Sequence, residues 1–221
     1  MKIAIVGTSP ISSGDAPYDD PNWNIWSLGA NYMVVKRFNR WFELHTPEVL
    51  FMANSMEPER MRFLKNIGKD LYVGFASELW PNASLYPKDE MIKAFGSYFT
   101  SSIAWMIALA IYEGAEEIGL WGIDMVGDCE YSHQRACCEY FLGMAKGMGI
   151  KVTVSPLSPL LRAERMYAFE HMRFAAELQA RIADTKEKAA VEEKKYLKAA
   201  TDKAFAEGVL SAYKDLERRW G

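Results

Sequence analysis

Short apolar runs alternate with longer stretches in which apolar residues recur every three or four positions, and this alternation fills residues 1–158. Residues 3–6 (Ile-Ala-Ile-Val) form a β-branched run stopped by Gly7, which predicts a strand buried on both faces. Residues 7–21 are rich in Gly, Ser, Pro and Asp and predict a loop long enough to carry function. Residues 24–38 place Ile25, Leu28, Tyr32 and Val35 at helical spacing, which predicts an amphipathic helix. A strand is expected at 41–45, stopped by Pro47. A helix follows at 58–67, with Pro58 in its first turn and Gly68 at its close, and then a strand at 71–75. The clearest helix spans 100–112, with Ile103, Ile107, Ala110 and Ile111 inward and Gly114 ending it. A strand at 117–123, a helix at 134–148 closed by Gly149, and a strand at 151–154 ended by Pro156 complete the series.

Strands separated by helices of this length imply βαβ crossovers and a parallel sheet. The expected fold is therefore α/β: a Rossmann-like parallel sheet flanked by helices over residues 1–158, built to bind a nucleotide. Residues 159–221 form a separate helical extension, where Pro stops after Pro159, a single Gly (Gly208) remains, and Ala, Glu, Lys and Arg dominate. Its first part carries Phe174, Leu178 and Ile182; its end carries Val209, Tyr213, Leu216 and Trp220, with a weakly apolar middle. Either one long helix or a pair bent at Gly208 satisfies this pattern. Its two apolar ends call for a partner, which predicts a homo-oligomer formed through these helices.

Charge and cysteine content narrow the function classes. A net charge of −3 leaves no electrostatic footprint for duplex nucleic acid. Three cysteines, Cys129, Cys137 and Cys138, are an odd and partly adjacent set, which argues against a disulfide framework and for a reducing compartment. They lack the second pair that a zinc site needs, and His133 alone does not complete one, so no metal is expected. No run approaches the roughly 18 apolar residues of a membrane span. The expected location is the cytoplasm, or the host cytoplasm for a phage-encoded protein.

Four groups of residues carry candidate chemistry. Gly7, Thr8 and Ser9 follow the first strand, where a parallel sheet presents backbone N–H groups to a phosphate; the stretch is neither a G-x-G-x-x-G fingerprint nor a Walker loop. Trp23 and Trp26 close the following loop and either stack on a base or plug the sheet edge. Thr100, Ser101 and Ser102 precede the clearest helix and suit both N-capping and an anion site. Gly122 and Asp124 end the fourth expected strand, where a carboxylate can hold ribose or sugar hydroxyls. Just beyond them stand Glu130, Tyr131 and His133 as candidates for proton transfer, then Gln134 and Arg135, the latter suited to a phosphate. His45, close behind Glu43 on a strand, is a weaker candidate for the same mouth, and His171 reads as a surface residue.

Residues 99–125, reading FTSSIAWMIALAIYEGAEEIGLWGIDM, resemble the strand–helix–strand piece of bacterial CMP-sialic-acid-dependent sialyltransferases. They are also similar to the hydroxymethylpterin pyrophosphokinase-like domains of motility accessory factors. Both groups open a helix with a Thr-Ser pair and follow the next strand with Gly-Ile/Val-Asp. The sialyltransferase resemblance implies cytidine-nucleotide contacts from Thr8, Ser9, Ser101, Ser102, Gly122 and Asp124, and lid tyrosines at Tyr131 and Tyr140. Thr8 stands where that family has the asparagine of Gly-Asn-Gly-Pro, and His133 follows Gly-Ile-Asp too soon to match the family's catalytic histidine. The whole chain also resembles short uncharacterised phage and prophage proteins.

Three readings follow. The first is a nucleotide-type ligand-binding protein that acts as a metal-independent, nucleotide-sugar-dependent transferase, the nucleotide being ligand and no further cofactor required. The second is a phage-type protein that binds or sequesters a nucleotide signal without turnover. The third is an assembly protein working through its tail.

Overall fold

The computed structural model describes residues 1–46, 49, 58–127, 129–163, 167 and 173–220. Pro47 and His171 lie outside them, and the side chains of Cys129 and Phe174 are likewise outside what is described. The chain divides into two units, Met1–Ala163 and Glu164–Gly221.

The first unit is a single parallel sheet. Its strands are β1 (Lys2–Val6), β2 (Trp23–Leu28), β3 (Arg40–Glu43), β4 (Leu71–Val73), β5 (Ser84–Leu85), β6 (Glu117–Trp121) and β7 (Lys151–Val154). They lie in the order β5-β4-β3-β2-β1-β6-β7, with every neighbouring pair parallel. The described helices of this unit are α1 (Pro58–Asn66), α2 (Lys88–Phe95), α3 (Ser102–Tyr112) and α4 (Cys129–Gly147).

Side-chain alternation along the strands sorts the core into two layers. Ile3, Ile5, Trp26, Phe42, Ile118 and Leu120 point to one face and pack with the buried residues of α2, α3 and α4. Ala4, Val6, Trp23 and Ile25 point to the other and are covered by Ala16 and Tyr18. Trp41, Leu71 and Val73 continue that second face under Leu64 of α1. The link from β1 to β2 therefore has no α-helix: a loop with one short 3-10 turn (Ser13–Asp15) supplies the layer itself. Arg37 pins that loop by donating to the carbonyls of Tyr18 at 2.5 Å, Asp20 at 2.6 Å and Trp23 at 3.1 Å.

The helix expected at 24–38 is absent; the segment is strand β2, followed by a 3-10 turn at Asn31–Met33. The physical reason is that β2 is buried on both faces. Trp23 and Ile25 fill one layer and Trp26 the other, so the apolar positions lose the period of two and imitate a helix. Gly29, at φ 65°, ends the strand. Two elements, β5 and α2, fall where the pattern predicts none. The helix expected at 134–148 begins earlier, at Cys129.

The extension is one helix, α5 (Arg173–Trp220), 48 residues long, with Gly208 inside it and no break there. Leu160, read with the tail, is instead wholly buried in the core of the first unit. No described helix is long and apolar enough to cross a membrane.

At the amino edge of the sheet, Glu117 is buried and bound by Lys151 Nζ at 2.9 Å, Thr153 Oγ1 at 2.8 Å and Lys2 Nζ at 3.5 Å. Burial alone would push its pKa up, but the hydrogen bonds from Lys151 and Thr153 outweigh it and hold the carboxyl below its ordinary value. A depressed folded-state pKa contributes stability above the unfolded value, which is lost as pH falls through the folded one. Glu117→Gln is expected to lose about 1–3 kcal/mol at neutral pH. It should also flatten the acid side of the stability curve, measured by thermal melts between pH 7 and pH 3.

Candidate functional site

Helix direction gathers the candidates at one edge. α3 leads directly into β6 and α4 into β7, so both helices end at the amino edge and begin at the carboxyl edge. At 1.5 Å per residue α4 measures about 28 Å, against about 17 Å for a five-residue strand, so its first turns overhang the carboxyl edge. Glu130, Tyr131, His133 and Gln134 sit on those turns.

The exits themselves are held by backbone. The N–H of Gly7 donates to Trp121 O at 2.8 Å and that of Ser9 to Gly122 O at 2.9 Å, continuing the ladder past both strand ends. A Cβ on Gly7 would lie 2.5 Å from Gly122 O, and one on Gly122 would lie 2.6 Å from Gly7 O. Gly122 also has φ 63°, and Met125 turns the chain at φ 48°, so Asp124 sits between two left-handed residues. The buried Ser12 hydroxyl accepts from Gly122 N at 2.8 Å, and Ser158 Oγ donates to Ile123 O at 2.6 Å. Asn31 Nδ2 donates to Gly7 O at 2.7 Å.

Across this junction the Ser9 hydroxyl donates to Asp124 Oδ2, while Asp124 Oδ1 has no hydrogen-bond partner and is covered by protein atoms. The chain leaves β1 onto the face covered by Ala16 and Tyr18 and leaves β6 onto the face of α4. The two loops thus part on either side of the β1–β6 crevice, which is the topological switch point of the sheet.

At the start of α3, Ser101 is the N-cap, its Oγ accepting from Ala104 N at 3.1 Å, and the first turn holds no acidic residue. Ser102 opens the helix, where the first-turn amides and the helix dipole favour an anion. Thr100 Oγ1 donates to His133 O at 3.1 Å, and Ser101 Oγ lies 3.5 Å from Cys138 Sγ, which ties the start of α3 to α4. Cys137 and Cys138 are free and buried, and burial pushes the Cys138 thiol up to about 12. No three described His, Cys, Asp or Glu side chains are grouped to hold a metal ion.

Three candidates are placed otherwise than expected. Trp26 is fully buried between Phe42 and the Arg40 guanidinium, which leaves no face for a base. Trp23 pairs in register with Lys2, at the amino end of the sheet and away from the mouth, and packs edge-on against Trp121 at 5.4 Å. Both corrections follow from residues 23–28 forming a strand. Arg135 is engaged within the protein: it donates to Glu139 Oε1 at 2.9 Å, to Pro159 O at 2.7 Å and to Arg162 O at 3.2 Å. It fastens the 159–162 turn to α4 and is not directed at a ligand. Gln134 is paired with Glu130 at 2.8 Å.

A second polar cluster stands at the end of β3. Glu43 is buried; its Oε2 is bound by Arg60 of α1, and its Oε1 lies 3.0 Å from Nδ1 of the half-exposed His45. The Glu43 hydrogen bond raises the His45 pKa above its ordinary value, helped by the charges of Glu43 and Glu130 and opposed by burial and Arg60. β3 ends at the same carboxyl edge at which α4 begins. The sequence showed Glu43 and His45 two apart on a strand; Arg60, seventeen residues on in another element, carried no signal.

No family model matches the chain, and no curated protein matches it. Among solved structures it is similar to the sialyltransferase CstII from Campylobacter jejuni in complex with the substrate analogue CMP-3FNeuAc. That likeness has a TM-score of 0.48 and 18% identity, covering 72% of this chain and 80% of that one. The same enzyme in complex with cytidine-5'-monophosphate gives a TM-score of 0.46 at 18% identity, over 69% of this chain and 78% of that one. The likeness is one of chain path, and nothing about this chain's ligand follows from it.

Gly122→Ala tests the junction. A methyl group there meets Gly7 O, and the left-handed conformation penalises any side chain, so a loss of about 1–3 kcal/mol is expected. Differential scanning calorimetry reads it as a lower Tm; an unchanged Tm would mean that the two exits are not so tightly apposed.

Proposed function

We propose that this chain binds a nucleotide-type ligand in the β1–β6 crevice and uses a nucleotide-linked sugar as the donor in a transfer reaction. The observation that carries the reading is the crevice itself: a carboxylate bridged by a serine hydroxyl, at the point where two strand exits part to opposite faces. Ligands of open parallel sheets bind at such a point. The chemistry around it is two-sided. Asp124 offers Oδ2 as an acceptor for a ribose or sugar hydroxyl, while Ser102 and the first turn of α3 offer donors for phosphate. Hydroxyls and phosphate together describe a nucleotide better than either alone. A ligand hydroxyl would take the place of the Ser9 hydroxyl on Asp124, leaving Ser9 free to donate elsewhere.

Thermal unfolding against CMP, UMP, GMP, AMP and the CMP-, UDP- and GDP-sugars tests this. A ligand at about 100 times its Kd adds about 2.7 kcal/mol, a rise of roughly 5–10 °C for a unit of this size. Asp124→Asn and Ser9→Ala are expected to weaken the response to the active ligand. Arg135→Ala should lower the Tm without removing the response, because its contacts are internal. Release of free nucleotide from a responding sugar, followed by chromatography, supports transfer; saturable binding with no release supports the second reading, a sequestering protein. A flat panel would sink both.

We also propose that α5 joins copies of the chain. Phe205, Val209, Tyr213, Leu216 and Trp220 are exposed on a helix with no fold of its own. At about 100° per residue they fall within roughly 80° of arc, a stripe suited to another helix. Light scattering should give a mass of at least two chains, falling to one in Leu216→Glu; a monomeric wild type would end this reading.

A further inference from the structure

The Glu43–Arg60–His45 cluster lies outside the crevice and is not needed to bind a nucleotide, yet it is arranged as a base and its support. Glu43 is buried, and one of its oxygens is taken by Arg60, itself buried in α1. The other oxygen faces Nδ1 of His45 at 3.0 Å. An acceptor-only oxygen there sets the tautomer: Nδ1 carries the proton and donates it, and Nε2 keeps its lone pair. The His45 side chain is about half exposed, so the ring can be reached from solvent. A reactive group, a partner that orients it and a third group behind the partner are the recurring parts of proton-transfer sites.

Position links the cluster to the crevice. β3 lies three strand spacings from β6, about 14 Å at 4.8 Å each, along the same carboxyl edge. A nucleotide-sugar whose ribose is anchored at Asp124 and which extends along that edge toward β3 carries its phosphate-linked sugar carbon toward His45. Neither histidine spacing nor motif in the sialyltransferase resemblance falls on this strand.

We infer that His45 is the catalytic base of this chain, taking the proton from the oxygen nucleophile that attacks the nucleotide-linked carbon, with Glu43 and Arg60 as positioning residues. The inference rests on the donor reading of the crevice. The nucleophile's O–H gives its proton to Nε2 as its oxygen bonds to the sugar carbon. The bond from that carbon to the phosphate oxygen breaks, and the nucleotide leaves with the electron pair. The imidazolium then returns its proton to water. Water itself is the nucleophile when no acceptor is present, so hydrolysis of the donor is readable without knowing the acceptor; an added alcohol that yields a new glycoside marks acceptor transfer.

The groups facing His45 are Glu43 on its own strand, Arg60 on α1 and Glu130 on α4. Their balance favours the protonated ring, so the neutral base forms only above the ordinary histidine range. Turnover is therefore expected to rise with pH through an apparent pKa above about 6.5.

The experiment compares wild type with His45→Gln on the full chain, using the CMP-, UDP- and GDP-sugars as donors. Calorimetry measures nucleotide binding, chromatography measures nucleotide release from pH 5 to pH 9, and imidazole nitrogen NMR reads the ring. The expected result is unchanged nucleotide affinity, a loss of roughly 10²–10⁴-fold in release, and loss of the rising pH limb. In wild type the spectrum should show an Nδ1–H tautomer titrating above the ordinary value. If wild type releases nucleotide and His45→Gln keeps its rate and pH profile, the assignment of His45 is overturned and the donor reading stands. Should wild type bind nucleotide but release none, the base role falls and the sequestering reading takes its place. A wild type that binds no nucleotide removes both.

Discussion

Two backbones pass at the ends of β1 and β6 more closely than a methyl group would allow, and the carboxyl edge is organised around that approach. Because neither Gly7 nor Gly122 bears a side chain, the ladder can continue beyond both strands. That continuation delivers Ser9 to Asp124. Ser12 and Ser158 then fix the exit of β6 from below, and Asn31 fixes that of β1. The polar groups involved are short, buried and aimed at main-chain atoms, so they set geometry more than they contribute energy.

Much of this fold was legible because parallel strands and their crossovers leave strong marks. The runs at 3–6, 117–121 and 151–154 and the helix from 102 to 112 follow from pattern alone. β2 did not, for a physical reason: a strand with tryptophans and isoleucine packed on both faces has no polar side to reveal its period. That single misreading moved Trp23 to the wrong end of the sheet and made Trp26 look available. Ser9, Ser101, Ser102, Gly122 and Asp124 could be singled out because each lies just past a strand or at the opening of a helix. Arg135 was misleading because its partners are carbonyls, 24 and 27 residues away, that no residue type announces.

Pairing accounts for part of the charge at this edge. Arg60 is matched to Glu43, and Arg135 to Glu139, each across or along elements that converge at this edge. A count of acids and bases in the sequence suggests a densely charged mouth; in the folded chain two of its arginines are taken by internal acids. Among the described residues the edge also holds a carboxylate with an unpartnered oxygen and an imidazole held by a buried acid. Both owe their character to neighbours distant in sequence, so composition could not have ranked them above the rest.

The link between β1 and β2 does two jobs with one segment. The residues that lead away from the crevice are also the covering layer for Ala4, Val6 and Ile25. In most doubly wound sheets a helix forms that layer, and the loop above it is free to lengthen or change. Here an insertion or deletion would uncover one side of the core. A change in the length of this segment is thus a change to the core as well, whereas a single replacement can alter the crevice alone.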